Sequence, residues 1–338
     1  MTELRFFDLY TADPKSIRAE LANGLRAAQA HTSPKYLYDQ LGSRLFDAIT
    51  ELPEYYPTRT ESAIFTAQGQ ALASTLPAGA CLVDLGAGNC TKAAGLFATL
   101  QPSQYIAVDI SVGYLRGVLA ALAKQHPQIS MTGVGMDFSS TLDLPPALAH
   151  ALRAQPVIAF YPGSSISNFG PAESLALLQR IRALCASGAA GSGLLIGVDL
   201  VKPTEVLEPA YDDALGVTAA FNLNMLRHIN TLLGSNFEVR DWRHVAFFNA
   251  QQSRIEMHVE AKRDVRVTWP HADGASGADG GSEQRHFMSG ERIHTENSYK
   301  WTLESFSALL AAAGFAAPKV WTDERDYFAV FWAGLQPL

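Results

Sequence analysis

The sequence lacks several features that would assign a protein to a particular class. No apolar run approaches the ~18 residues of a membrane span, and the N-terminus has no apolar segment of signal-peptide length. Lysine and arginine form no block and the net charge is −7, which argues against nucleic acid as a partner. We therefore expect a cytoplasmic protein that binds neither nucleic acid nor membrane, and no obligate protein partner is inferred.

Cysteine is scarce and is not arranged for a disulfide framework or a zinc site. The three cysteines, Cys81, Cys90 and Cys185, are odd in number. No pair of cysteine and histidine residues has the spacing that zinc sites use. We expect buried thiols in a reducing compartment and no metal.

Two common phosphate-binding devices are also absent from the most informative stretch, residues 81–92. An apolar run there leads into a turn containing Gly86 and Gly88. The dinucleotide fingerprint has a third glycine where this chain has Thr91, and no Gly-Lys-Ser/Thr sequence follows. A buried strand followed by a tight turn still favours a nucleotide-like ligand at the carboxyl end of that strand.

Acidic residues follow the next two predicted strands. Asp109 closes the second strand, 21 residues after Gly88 (109 − 88), where a carboxylate can accept both hydroxyls of a ribose. A third strand, 129–136, ends at Asp137 and Phe138, which can meet the amino group and the ring of an adenine. Three such strand ends without a phosphate site resemble a Rossmann-like, S-adenosylmethionine-dependent methyltransferase.

Alternation of helical and strand patterns predicts an α/β fold. Residues 62–201 give five strands of a doubly wound parallel sheet. Residues 300–338 add a helix and an antiparallel pair of strands. We expect a class I methyltransferase core with a seven-stranded, mostly parallel sheet from 62–201 and 300–338. Residues 1–61 and 202–299 form a discontinuous α+β accessory domain that binds the substrate.

Within the accessory segments the patterns are more local. Asp13 followed by Pro14 predicts a helix from 14 to about 30, and further helices are expected at 204–213 and 215–234. Strict alternation over 254–261 predicts a half-buried antiparallel strand. Residues 271–284, rich in Gly, Ala, Asp and Ser, are expected to form a mobile loop at a hairpin tip.

Two places in the chain could hold an amine acceptor. Asn168 follows the fourth strand, where its amide could bind an amine or a carboxylate, although an Asx turn before Gly170 explains the same residue. Glu296 and Ser298 are two residues apart, so an extended segment would present both on one face to an imidazole. A solvated edge strand explains that pattern equally.

A tyrosine-rich arm, residues 36–56, has two interpretations as well. Its rings could pack in a core with their hydroxyls reaching water, or they could form a polar, aromatic lid over the cofactor turn. Composition alone favours packing.

Taken together, motifs spread over nearly the whole chain resemble the histidine-specific Nα-methyltransferases of the ergothioneine pathway. That family makes hercynine, Nα,Nα,Nα-trimethylhistidine, with three molecules of S-adenosylmethionine. The resemblance rests on segments that keep their order along the chain: 38–46, 52–59, 85–88, 163–168, 199–202, 211–222, 254–257 and 295–298.

The resemblance implies a role for each matched residue. Tyr55 and Asn168 hold the α-amino group, with Tyr38 beside it, and Glu296 and Ser298 bind the imidazole. The substrate pocket is lined by Phe46, Gly163, Thr218 and Met257. The cofactor S-adenosyl-L-methionine is surrounded by Gly86, Gly88, Lys92, Asp109, Asp137, Phe138 and Tyr161. Under this resemblance the tyrosine-rich arm belongs to the site.

Two departures from the family pattern and two alternative functions remain at this stage. Asn297 stands where a small apolar residue is expected, and the 271–284 loop is longer and more polar than usual. The same fold could methylate another free amino acid, such as tryptophan or a thiohistidine, although a plain indole offers Glu296 only one donor. A catalytically silent, cofactor-binding partner subunit is the non-enzymatic alternative.

Overall fold

The computed structural model describes residues 4–10, 13–271 and 282–336, which divide into two compact units. Unit 1 contains 4–10, 56–202 and 299–336, and unit 2 contains 13–55, 203–271 and 282–298. Residues 4–10 and 56–61, which we expected in the accessory domain, therefore belong to unit 1. Across these described ranges, no helix combines the length and the apolar character that crossing a membrane requires.

Unit 1 is built on one mixed sheet. Its strands are β1 (Arg5–Asp8), β2 (Cys81–Leu85), β3 (Gln104–Asp109), β4 (Ser130–Gly135), β5 (Val157–Tyr161), β6 (Gly193–Asp199), β12 (Lys319–Thr322) and β13 (Phe328–Gly334). Their order is β1-β4-β3-β2-β5-β6-β13-β12. β1 to β6 are mutually parallel, whereas β13 runs antiparallel to β6 and β12. The mostly parallel, Rossmann-like core and its antiparallel end are thus confirmed.

The part of the chain that the structure describes gives this sheet eight strands, so the expected count of seven is wrong. The additional strand is β1, which pairs in parallel with β4 from Arg5↔Thr132 to Asp8↔Gly135. It has only four residues, and its two half-buried phenylalanines are adjacent. Adjacent aromatics give no alternation that would separate a strand from a loop.

Helices cover both faces of this sheet. They are α3 (Tyr56–Ala67), α4 (Gly69–Thr75), α5 (Thr91–Leu100), α6 (Val112–Gln125), α7 (Pro146–Leu152), α8 (Pro171–Ala186) and α11 (Leu303–Ala312). Alternate strand residues point to opposite faces. Val83 therefore joins one hydrophobic cluster, and its neighbour Leu82 joins another. Burial on both faces explains why these strands read as continuous apolar runs.

In its described residues, unit 2 combines four α-helices with two small antiparallel sheets. The helices are α1 (Pro14–Arg26), α2 (Gln40–Thr50), α9 (Thr204–Leu207) and α10 (Val217–Leu233). The strands are β7 (Trp242–Asn249), β8 (Arg254–Ala261), β9 (Val265–Pro270), β10 (Ser282–Phe287) and β11 (Arg292–Tyr299), whose last residue lies in unit 1. One sheet has the order β11-β8-β7, and the other pairs β10 with β9.

Two helices of unit 2 are shorter than expected, whereas α10 lies within two residues of its predicted bounds, 215–234. α1 begins as predicted, because the Asp13 carboxylate accepts hydrogen bonds from the Lys15 and Ser16 amides, but it ends at Arg26 rather than near residue 30. The helix expected over 204–213 is a single turn, α9. The Asp213 carboxylate instead accepts from the Val217 and Thr218 amides at the start of α10.

Two strand predictions in unit 2 need correction. β8 is not half-buried: Glu256, His258 and Glu260 are only 8%, 6% and 4% exposed. Their partners supply the reason, since Arg243 and Arg292 both bond Glu260 and Arg254 bonds Glu256. The end of the expected 271–284 loop, residues 282–284, is strand β10 paired with β9. Residues 272–281 lie outside the described residues.

Candidate functional site

The turn after β2 has the backbone geometry that its glycines predict. Gly86 and Gly88 have positive φ angles of 73° and 51°, which residues with a Cβ rarely adopt. A Cβ on Gly86 would lie 3.7 Å from the Phe138 ring. The turn therefore brings bare backbone close to an aromatic side chain at the carboxyl end of the parallel strands.

Asp109, at the end of β3, is tied to this turn. One carboxylate oxygen accepts from the Gly88 amide at 2.9 Å and the other accepts from the Ser111 amide at 2.8 Å. Burial raises the pKa of Asp109, while these amides oppose the rise. These bonds fix the carboxylate at the end of β3, the position at which such a group can meet the hydroxyls of a ribose.

An aromatic pair stands beyond β4 and β5. The rings of Phe138 and Tyr161 meet edge to face with centroids 5.6 Å apart. The Tyr161 hydroxyl is buried and has no hydrogen-bond partner among the described residues. Asp137 accepts from Ser139 through Oδ1, which holds the carboxylate next to Phe138. A buried hydroxyl without a partner beside an aromatic ring fits a nucleoside site, in which the ligand would supply the missing hydrogen bond.

Lys92 is paired with a residue that the sequence did not single out. Its ammonium lies 2.7 Å from Glu61 on α3, and the same carboxylate accepts from the Gly163 amide at 2.8 Å. A Cβ on Gly163 would stand 2.7 Å from the Lys92 ammonium. Glu61 is buried, yet the sequence around it is typical of a solvated helix face, so only the fold reveals this contact.

The segment after β5 carries Asn168. It contains a 3₁₀ turn, Ser165–Asn168, preceded by Ser164 with a positive φ of 58°. The Ser164 hydroxyl accepts from the Asp199 amide at 2.8 Å and contacts the Ser167 hydroxyl at 2.7 Å. β6 therefore fixes the segment that presents Asn168.

A buried ion cluster lies where β6 ends. The Asp199 carboxylate contacts the ammonium groups of Lys202 at 2.5 Å and Lys300 at 2.7 Å and accepts from the Tyr56 hydroxyl at 2.6 Å. Burial lowers the pKa of Lys202 to about 8, although the charge of Asp199 opposes this. Burial also acts to raise the pKa of Asp199, but the two lysines outweigh it and the pKa is lowered.

The buried carboxyl group of Asp84 on β2 predicts a pH-dependent stability. Burial raises the pKa of Asp84 to about 7, although the hydrogen bond that the Tyr105 hydroxyl donates at 2.7 Å acts to lower this pKa. Between about pH 4 and pH 7 the Asp84 carboxyl group is ionised in the unfolded chain and protonated in the folded chain. Stability should therefore fall as the pH rises, by up to about 1.4 kcal/mol per pH unit.

Asp84→Asn should flatten this slope in denaturant titrations performed between pH 5 and pH 7. Asp143→Asn, on the exposed surface of unit 1, should keep the slope of the wild type. Equal slopes for all three proteins would contradict the assignment to Asp84.

In unit 2 the tyrosine-rich arm joins an aromatic cluster. Tyr38 meets Phe46 and Phe221 with ring centroids 5.7 and 5.4 Å apart, and Tyr55 meets Phe46 at 6.1 Å and Tyr211 at 6.2 Å. All four pairs are edge to face, an arrangement that aromatic rings favour. Tyr38, Phe46 and Tyr55 come from a segment more than a hundred residues before Tyr211 and Phe221 in the sequence, so the cluster fixes Tyr38 and Tyr55 within the unit.

β11 carries Glu296 and Ser298 on its buried face. Residues Arg292 to Thr295 alternate between half-buried and buried. Glu296 is buried like Thr295 before it, so from Glu296 onward the alternation is shifted by one residue. Glu296 and Ser298 are only 7% and 4% exposed, which argues against a solvated edge strand. Asn297 lies on the other face and contacts the His294 ring at 2.8 Å.

Unit 2 contains further buried polar groups, one of which contacts Ser298. The Ser298 hydroxyl lies 2.7 Å from that of Tyr211, a residue to which we had given no role. Thr218 and Asn222 are four residues apart on α10, so they share one helix face. The Thr218 hydroxyl and the Asn222 amide oxygen are buried without a partner among the described residues. Met257 on β8 is buried, and its carbonyl accepts from Thr295 at 3.0 Å.

Comparisons with known proteins give a family match over most of the chain. Residues 17–335 match the family model described as "Histidine-specific methyltransferase, SAM-dependent". The chain is 35% identical over 320 residues to the histidine N-alpha-methyltransferase of Mycolicibacterium smegmatis, covering 94% of each chain. It is 34% identical over 321 residues to the enzyme of the same name from Mycobacterium tuberculosis, covering 93% of this chain and 94% of the relative.

Among solved structures, a S-adenosylmethionine-dependent methyltransferase from Clostridium acetobutylicum has a TM-score of 0.44 and 10% identity. The match covers 88% of this chain and 97% of that one.

Proposed function

Because this chain belongs to the family of S-adenosylmethionine-dependent, histidine-specific methyltransferases, we propose that it trimethylates the α-amino group of free L-histidine. The product would be hercynine. The observation that carries the choice of acceptor is the burial of Glu296 and Ser298 on one face of β11. A carboxylate and a hydroxyl so placed can bond the two nitrogens of an imidazole.

The residues of unit 1 fit the cofactor. Asp109 would offer oxygens to the ribose, Asp137 and Phe138 would meet the adenine, and Gly86 would let the backbone approach the ligand. Lys92 supplies a positive charge for a carboxylate. When bound, S-adenosylmethionine supplies an activated methyl group, so the protein needs no covalent nucleophile.

The chain's own residues then have to bind and orient the acceptor. Methyl transfer is an in-line displacement, which alignment and exclusion of water accelerate. In unit 2, Glu296 and Ser298 would hold the imidazole, and Tyr38 and Tyr55 would face the amine from within the aromatic cluster. In unit 1, the Asn168 amide oxygen would accept from a neutral amine, which keeps the nitrogen lone pair available.

The test is product analysis with a panel of free amino acids. The protein should convert L-histidine to a product carrying three added methyl groups when it is supplied with S-adenosylmethionine. A methylated tryptophan or thiohistidine instead would support the alternative acceptors. Binding of the cofactor without any methylated product would support a silent partner subunit.

A further inference from the structure

Two strands of the β11-β8-β7 sheet together carry an unusual cluster of side chains. Glu256 and His258 lie two residues apart on β8 and share one face. His294 on β11 meets His258 with ring centroids 5.0 Å apart, and Phe247 on β7 stacks on His258 at 5.5 Å. Two imidazoles and a carboxylate therefore converge in a place where a solvated strand face was expected.

We propose that Glu256, His258 and His294 form a binding site for a divalent transition-metal ion such as Zn²⁺. One potential ligand atom from each residue lies within 4.8 Å of the other two. Two ligands of a tetrahedral zinc ion are about 3.4 Å apart, given bond lengths of about 2.0–2.2 Å. Glu256 Oε2 and His258 Nε2 are already separated by 3.1 Å, so small side-chain rotations would complete the site.

The two nitrogens of His258 have different surroundings. Nε2 faces Glu256 Oε2 at 3.1 Å and is the nitrogen directed at the proposed site. Nδ1, on the other side of the ring, is buried without a hydrogen-bond partner among the described residues and lies outside the ligand set.

The neighbours of the cluster hold the ligands in a suitable orientation. Arg254 and Asn249 bond Oε1 of Glu256, which leaves Oε2 directed at His258. The Asn297 amide oxygen lies 2.8 Å from Nε2 of His294, so His294 can donate there and keep Nδ1 for the ion. Histidine ligands of metals usually donate their other ring N–H in this way.

The ligand types in the cluster limit the choice of ion. The neighbouring guanidinium groups of Arg254 and Arg292 are paired with Glu256 and Glu260, and His31 lies near His294. A hard ion that needs six or more oxygen ligands finds only one carboxylate here. Imidazole-rich sites select zinc, copper, nickel or iron instead.

The experiment is calorimetric titration of the chelator-treated full-length protein with ZnCl₂, with Co²⁺ as a spectroscopic probe. We expect one equivalent of Zn²⁺ per chain, a Co²⁺ absorption spectrum typical of nitrogen and oxygen ligands, and no binding of Mg²⁺. His258→Asn and His294→Asn should each weaken Zn²⁺ binding at least tenfold. His150→Asn, which changes an exposed histidine of unit 1, should bind as the wild type does.

Circular dichroism shows whether a variant that binds Zn²⁺ more weakly is still folded. His294 is only half-buried, so its variant keeps the test valid if the buried His258 cannot be replaced. No stoichiometric Zn²⁺ binding by the wild type would overturn the proposal, as would equal Zn²⁺ affinity in the wild type and the folded His294→Asn protein. Neither outcome depends on the methyl acceptor.

Discussion

Replacing Glu296 with alanine should lower the affinity for L-histidine about 100-fold and leave the affinity for S-adenosylmethionine within about twofold. Glu296 is buried on β11, so its carboxylate would bond the imidazole away from water. Losing a buried hydrogen bond to a charged group costs about 1.5–3 kcal/mol, and about 1.4 kcal/mol corresponds to a factor of ten. Isothermal titration of each ligand measures both effects.

Two variants of the same strand sharpen this test. Glu296→Gln keeps the shape and one acceptor oxygen, so its histidine affinity should fall between those of the wild type and the alanine variant. Asn297→Ala changes the next residue, on the opposite face of β11, and should change histidine affinity less than threefold. Unchanged histidine binding by Glu296→Ala would refute the assignment of the imidazole to Glu296.

Asp199→Asn should lower the free energy of unfolding by about 3–5 kcal/mol, because it leaves two buried ammonium groups without their counter-ion. The carboxylate contacts Lys202 and Lys300 inside unit 1, and the Tyr56 hydroxyl donates to it. Denaturant titration measures the loss. Asp143→Asn, on the exposed surface of the same unit, should stay within about 0.5 kcal/mol of the wild type.

A double variant distinguishes an unpaired charge from simple mispacking. Adding Lys300→Met to Asp199→Asn removes one of the stranded ammonium groups, so part of the lost stability should return. The wild type should also lose stability as the pH falls below about 4, since the folded-state pKa of Asp199 is lowered. Strictly additive losses in the double variant would contradict this explanation.

The sequence was sufficient to predict the architecture of unit 1 because its signals are local. Buried parallel strands leave apolar runs, and Gly86, Gly88 and Asp109 follow such runs directly. β1 was missed because four residues with adjacent phenylalanines carry no period. The buried state of β8 was missed because its charged side chains are neutralised by partners from β7, β11 and its own start.

The candidate site was predictable only where residue spacing decides the geometry. Glu296 and Ser298 share a face because they are two residues apart, but their burial depends on the shift in alternation after Thr295. Glu61 and Tyr211 gave no signal, since their partners Gly163 and Ser298 lie 102 and 87 residues away in the chain. Such contacts are products of the tertiary fold.

The way in which the chain leaves and re-enters unit 1 has a consequence for its history. Segment 203–298 starts directly after Lys202 and ends directly before Tyr299. Those two ends are joined within unit 1, because Val201 donates to the Trp301 carbonyl at 3.0 Å and the side chains of Lys202 and Lys300 share Asp199. Because the two ends of the segment are adjacent, its insertion does not change the strand order of unit 1. An ancestral core could therefore have acquired the segment in the place of a short surface loop.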